Sequence, residues 1–272
     1  MKKIMKWTLI VLGGFIGLAL LASLALYPIG MKKLTRSYPG IPVEIVNIPT
    51  APDAVARGRH ISIVWSCAKC HGENLSGTVL ADDPFLGTIS AANLTSGKGG
   101  IAKSYTDVDW IRAIRHGIRP DSQVEIFMYE YFSTMSDQDL GALIAYLKQI
   151  PPVDSVNPEM HFGPLLAVAP AMGLFTPMAE LIDHNAPRPA DPQPDATTEY
   201  GKYLSPICIE CHGTYVAGKL EKWTQAEFIR ALQTGVKPDG KQLGQTMSSK
   251  NFSEMSVEEL TALWRFFVDV QP

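Results

Sequence analysis

Two pairs of cysteines, each followed at once by a histidine, constrain this chain more than any other feature. Cys67-Ala68-Lys69-Cys70-His71 and Cys208-Ile209-Glu210-Cys211-His212 use up all four cysteines of its 272 residues. Two thiols three positions apart can reach the two vinyl groups of one haem and form thioethers. The adjacent histidine then sits under the ring as an iron ligand, so C-x-x-C-H is the attachment signature of haem c. Zinc would want a second ligand pair close by, and a redox dithiol would want a βαβ setting. Structural disulfides are the default in an exported protein, but they leave His71 and His212 unexplained. The expectation is two haem c groups, held by Cys67, Cys70 and His71 and by Cys208, Cys211 and His212.

The motifs belong to an internal repeat. Gly58-Arg59-His60-Ile61 precedes the first motif and Gly201-Lys202-Tyr203-Leu204 the second. Ile111-Arg112-Ala113 leads to Pro120-Asp121, and Ile229-Arg230-Ala231 to Pro238-Asp239. The copies end with Met135-Ser136-Asp137 running to Pro152 and Met255-Ser256-Val257 running to Pro272, both spans of 17 residues. Thr106-x-x-Asp109, Thr224-x-x-Glu227, Ser136-x-x-Asp139 and Ser256-x-x-Glu259 read as helix N-terminal signals. Leu140, Leu143, Ile144 and Leu147, and Leu260, Leu263, Trp264 and Phe267, mark helices with one buried face. Gly58 and Gly201 either admit a close helix approach or start a frayed helix. The fold expected is all-α, with a first domain over 52–152, a Pro-rich connector over 153–195 and a second domain over 196–272. The first copy has a long loop from Glu73 to Lys103 where the second has only Thr214 to Lys222, so the second haem should be less covered.

The sixth iron ligand decides what the iron can do. Methionine opposite histidine raises the potential and suits electron transfer. Met247 lies 12 residues after Gly235 and 8 before Met255, and Met128 lies 11 after Gly117 and 7 before Met135. These two are the candidate ligands. The copies then differ by one residue on each side, and an ungapped count lands on Phe127, which cannot ligate. Met135 and Met255 read as packing residues. His60, His116, His161 and His184 have no counterpart in the other repeat and read as surface or packing histidines, with His116 in reserve if Met128 fails.

From Trp7 to Met31 there is no charged residue, and about 20 apolar residues cross a bilayer as a helix. A cleavage site at Ser23-Leu24-Ala25 is conceivable, but the length favours an uncut transmembrane anchor over 7–31. Lys2, Lys3 and Lys6 before it are balanced by Lys32, Lys33 and Arg36 after it, so charge does not orient it. Haem attachment outside the bacterial cytoplasm does: a single-pass protein of the cytoplasmic membrane, haem domains on the periplasmic side. Gly163 to Ala179 is apolar but broken by Pro164, Pro170 and Pro177, a poor second span. It is expected to pack between the domains, with the membrane surface or a partner as the alternative. Ala186 to Pro194 reads as a stiff spacer. With 19% charged residues and a net charge of -3, no basic field for nucleic acid exists.

These motifs together, with Asn93-Leu94-Thr95 in the first copy, resemble bacterial membrane-anchored dihaem class I cytochromes c, akin to the cytochrome subunits of membrane-bound alcohol and gluconate dehydrogenases. The resemblance implies two tandem class I cytochrome c domains after the anchor, with histidine–methionine ligation. It also implies a redox partner or a dehydrogenase or oxidase complex. Family members often show Met-Pro at the sixth ligand, whereas Met128 precedes Tyr129 and Met247 precedes Ser248. The dehydrogenase subunits carry three haems, against two here. The function expected is electron transfer between a membrane or periplasmic donor and an acceptor, rather than catalysis. The alternative is a haem enzyme of peroxidase or thiosulfate-oxidising type with one open iron, and a third reading makes the haems purely structural.

Overall fold

The computed structural model describes residues 2–125, 128, 130–213, 216–244, 247 and 252–269. Phe127, Tyr129, Thr214, Ser248 and Pro272, named above, lie outside them. The chain begins with helix α1 (Lys2–Leu34), the only described helix long and apolar enough to cross a membrane. Then follow α2 (Pro52–Val64), α3 (Cys67–His71), strands β1 (Thr78–Asp83) and β2 (Gly87–Ala91), α4 (Asp107–His116), a 3-10 turn (Glu130–Thr134) and α5 (Asp137–Leu147). The middle holds β3 (His161–Phe162), α6 (Pro164–Val168) and α7 (Met178–Leu181). The rest is α8 (Thr198–Leu204), α9 (Pro206–His212), α10 (Val216–Leu220), α11 (Gln225–Thr234) and α12 (Val257–Asp269).

The same helix pairing occurs twice. In the first half α2 packs on α5, and in the second α8 packs on α12. The glycines decide how closely. A Cβ on Gly58 would stand 1.9 Å from the Ala142 carbonyl oxygen, and one on Gly201 the same 1.9 Å from that of Ala262. Both glycines therefore serve close helix approach, because no side chain fits between the backbones. Thr106 with Asp109 and Thr224 with Glu227 form reciprocal capping boxes on α4 and α11. Ser136 caps α5, and Ser256 exchanges hydrogen bonds with Glu259 at the start of α12. Leu140, Leu143, Ile144 and Leu147 are buried, as are Leu260, Leu263 and Phe267, in one core that also takes in Met135 and Met255.

The halves meet by exchanging equivalent bonds. Asp139 takes an ion pair from Arg57 of its own half at 2.6 Å and a hydrogen bond from Tyr203 of the other at 2.8 Å. Glu259 takes a hydrogen bond from Tyr200 of its own half at 3.3 Å and one from His60 of the other at 2.8 Å. Counted from the paired glycines and serines, His60 stands where Tyr203 does and Asp139 where Glu259 does. The contact is therefore approximately two-fold, each half lending one cap carboxylate and one cross-reaching ring.

Two expectations are corrected. The chain is mostly helical, not all-α: β1 and β2 of the first-half loop form an antiparallel sheet with β3 of the connector, in the order β1-β2-β3. Thr78, Val79, Thr88 and Ile89 are β-branched and suit strands, and the Asp83 side chain accepts from the amides of Phe85 and Leu86 to close the turn. Among the described residues, the apolar connector packs on the end of α1 and on the first half rather than between the halves. A Cβ on Gly30 would meet the Ala167 carbonyl oxygen at 1.8 Å, so α6 lies directly against the end of α1. Met178 packs beneath Gly117, and Ala179 joins Leu34, Ile118 and Val124 in a small second core. The proline-rich run after it is also tied down, by Arg188 to Glu44 at 3.0 Å and by the Gln138 amide to Asp191 at 3.1 Å.

Candidate haem-binding site

Both cysteine motifs open into one cavity of about 540 Å³. Its wall includes Cys67, Cys70, His71 and Met128 from the first half, and Cys208, Cys211, His212 and Met247 from the second. Short helices explain this. α3 and α9 each carry one motif and end at a glycine, Gly72 or Gly213, with positive φ (79° and 57°). That turn sends the chain away immediately after the histidine. α9 also touches the 3-10 turn of the first half, which brings the motifs together.

At the first motif the histidine is oriented from outside. His71 Nδ1 donates to the Ala92 carbonyl oxygen at 2.8 Å, which assigns the proton to Nδ1 and leaves Nε2 as the free lone pair. Burial holds its pKa below the usual imidazole value, despite the opposing pull of the Ala92 bond, so the ring is neutral and ready to ligate. Ala92 follows β2 directly; the sheet thus supplies the acceptor. Asn93 and Thr95, just beyond, bind the Val153 carbonyl at 2.8 and 3.2 Å and pin this loop against the start of the connector. Met128 lines the cavity and packs on the core.

At the second motif His212 Nε2 lies 3.3 Å from Met247 Sδ. Ring nitrogen and thioether thus converge across the cavity. Cys211 is exposed whereas Cys67, Cys70 and Cys208 are partly covered.

No disulfide joins the four cysteines. Burial pushes both Cys67 and Cys208 up to about 12. A redox dithiol needs a lowered thiol pKa, so that use is disfavoured. The wall fits a haem c: apolar side chains such as Leu94, Ile114, Leu143 and Ile207, thiol pairs at the edge, and a neutral imidazole with a thioether within the same space. No group of three or more His, Cys, Asp or Glu side chains suited to a bare metal ion occurs among the described residues.

Several wall residues were not visible as such in the sequence. Tyr131 and Phe132 line the cavity and pack at a tilt against Trp65, whose ring centroid is 5.7 Å from Tyr131, 5.9 Å from Phe132 and 6.1 Å from Tyr203 of the other half. Phe132 stands three residues before Met135 as Phe252, also in the wall, stands three before Met255, and that shared place was the available signal. Glu125 also lines the cavity, and its withdrawal from water pushes the carboxyl up to about 7, against the nearby Arg119. A single acid in a loop gives no sequence signal of this kind. His116, the reserve ligand, is engaged elsewhere: its Nδ1 is 3.0 Å from His184 Nδ1, while His184 Nε2 donates to the Ala179 carbonyl. Burial, with the charge of His184 second, brings the His116 pKa down to about 4.

Residues 55–151 match the family model for cytochrome c. The chain is similar to the fructose dehydrogenase cytochrome subunit of Gluconobacter japonicus, 27% identical over 218 residues, which is 72% of this chain and 44% of that protein. It is also similar to the gluconate 2-dehydrogenase cytochrome c subunit of Pantoea cypripedii, 30% identical over 58% of this chain and 37% of that protein. A third relative is the cytochrome c subunit of the quinone alcohol dehydrogenase of Komagataeibacter europaeus, 27% identical over 62% and 38%. The chain spans less than half the length of these relatives.

Proposed function

We propose, from the premise that residues 55–151 are a cytochrome c domain, that the chain is a dihaem electron carrier: two tandem cytochrome c domains over 52–152 and 196–272, joined by the connector 153–195 and anchored by residues 7–31 with the domains on the periplasmic side. One observation carries this reading. Two C-x-x-C-H motifs and two methionines face a single apolar cavity. Bound haem c supplies one-electron exchange at iron, and histidine–methionine ligation favours the reduced state. In the first domain Cys67 and Cys70 would form the thioethers and His71 and Met128 would hold the iron, while the Ala92 carbonyl fixes the His71 ring. In the second domain Cys208, Cys211, His212 and Met247 would do the same. The apolar wall keeps water from the irons, and the aromatic cluster around Trp65 holds the two halves at a fixed spacing. Because the motifs share a cavity, two haems held there would be able to exchange electrons within the chain.

The relatives named above are subunits of dehydrogenases, which supports a dehydrogenase complex as the electron donor. Purification from the native membrane in mild detergent tests this. The expected result is a co-purifying dehydrogenase whose substrate reduces the haems. A chain that purifies alone, and whose haems stay oxidised when membrane substrates are added, contradicts the partnership. Carbon monoxide separates carrier from enzyme: two low-spin irons that do not bind it at neutral pH are expected, and binding or peroxide turnover would overturn the carrier reading.

A further inference from the structure

We infer that the apolar segment around α6 lies in the headgroup layer of the bilayer that α1 enters, so the first half is held with its sheet edge against the membrane surface. This rests on the reading of α1 as a membrane span. The depth follows from the helix. Trp7 and Tyr27 are 20 residues apart, and at 1.5 Å per residue that is about 30 Å, the thickness of the hydrocarbon core. Aromatic residues favour the two interfaces, so Tyr27 marks the outer boundary. Gly30, about 4.5 Å further along the axis, is where the Ala167 backbone touches α1. α6 therefore sits within the headgroup layer, which adds roughly 5–7 Å beyond the hydrocarbon core on each side.

What the segment exposes fits that depth. Gly163 to Ala179 carries no charge, yet Leu165 is 61%, Met172 58% and Leu174 73% exposed. The hairpin turn extends the patch. The Leu165 amide donates to the Phe85 carbonyl and the Gly163 amide to that of Leu86, both at 2.9 Å, and Phe85 is 65% exposed. The backbone is suited to a poorly hydrated layer: the amides of Ala171 and Met172 bond the Val168 carbonyl, and that of Leu174 bonds the Ala169 carbonyl. Lys33 donates to the Pro170 carbonyl at 3.1 Å and ties the far end of the loop back to α1. Contiguous exposed apolar surface on a protein usually marks an interaction site, and the bilayer is the partner that the position beside Tyr27 selects.

The test uses the full-length holoprotein in nanodiscs of phosphatidylcholine and phosphatidylglycerol, doped with a phospholipid carrying a diazirine near its headgroup. Adducts are mapped by mass spectrometry after illumination. The expected result is labelling at Phe85, Leu165, Met172 and Leu174 as well as within α1. In the double variant Leu165→Glu, Leu174→Glu, labelling at Phe85 and Met172 should fall several-fold while labelling within α1 is unchanged. Labelling confined to α1 would overturn the inference and leave the span intact, and so would a patch shielded by a second copy or a protein partner. No labelling of α1 would defeat the span itself and the inference with it.

Discussion

The two C-x-x-C-H sites start from the same local sequence and end in different surroundings. The first lies beside a sheet with no counterpart among the described residues of the second half, and that sheet leads into the Ala92 carbonyl that orients His71. The second has only α10 between its motif and α11, and its Cys211 is exposed. Conversely, His212 already faces its thioether at 3.3 Å, while Met128 stands in the wall of the cavity after a loop one residue shorter. The comparison teaches that the ligand motif is local, whereas the setting of the iron comes from whatever lies between the motif and the next helix. The first site has a carbonyl that orients His71, and at the second Cys211 is exposed. On the dihaem reading, the site of the exposed Cys211 would be the docking point for a redox partner.

The largest effect on this comparison should come from the methionines. Met247→Ala is expected to convert the second haem to a high-spin, carbon-monoxide-binding form and leave the first unchanged, and Met128→Ala to do the reverse, each read by absorbance and electron paramagnetic resonance. An unchanged spectrum for Met128→Ala would break the symmetry of ligation and leave the first iron with another ligand. Next come the glycines. Gly58→Val and Gly201→Val each force a side chain into a helix contact with no room for it, and should destabilise by about 2–3 kcal/mol or more in denaturant titrations. Equal losses would mean both halves lean on the same close packing, whereas a loss at only one would show that the repeat is not energetically equivalent.

A smaller effect concerns the cap carboxylates that join the halves. Burial works to raise the Glu259 carboxyl, but the hydrogen bond and charge of His60, with bonds from the Ser256 backbone and Tyr200, hold it below the usual carboxylate range. A depressed carboxylate stabilises the fold fully above its unfolded pKa of about 4.3, and that contribution is lost as pH falls through the lower folded value. Glu259→Gln should therefore cost about 1–2 kcal/mol at pH 7. The gap to the native chain should close as pH drops below about 4, in thermal or denaturant unfolding followed across pH. A gap that persists in acid would assign the loss to packing. Asp139→Asn tests the equivalent bond from the other half.

Much of this architecture was legible in the sequence because its determinants are short-range. Cap residues sit three positions from their partners, and the stripes Leu140 to Leu147 and Leu260 to Phe267 carry helical periodicity. Two glycines at matching positions signalled the close helix contact, though only the backbone distances separate it from a frayed start. What was not legible depends on long-range placement. The sheet in the first loop needs β3, which begins 70 residues after β2 ends, to complete it. The two-fold exchange of His60 and Tyr203 could not be read, since a histidine and a tyrosine do not look equivalent. That both motifs face one cavity follows only from how the halves dock. The connector was misassigned for the same reason: its apolarity was plain, but not that Gly30 would receive it.

The central claim is that each motif carries one haem and that the two share a cavity. Intact mass spectrometry of the purified holoprotein, beside the variants Cys67→Ala/Cys70→Ala and Cys208→Ala/Cys211→Ala, tests it most directly. The account predicts two covalent haems on the native chain and one on each variant, retained at the remaining motif. A native chain with a single haem, or a variant pair in which only one motif ever carries haem, would contradict it.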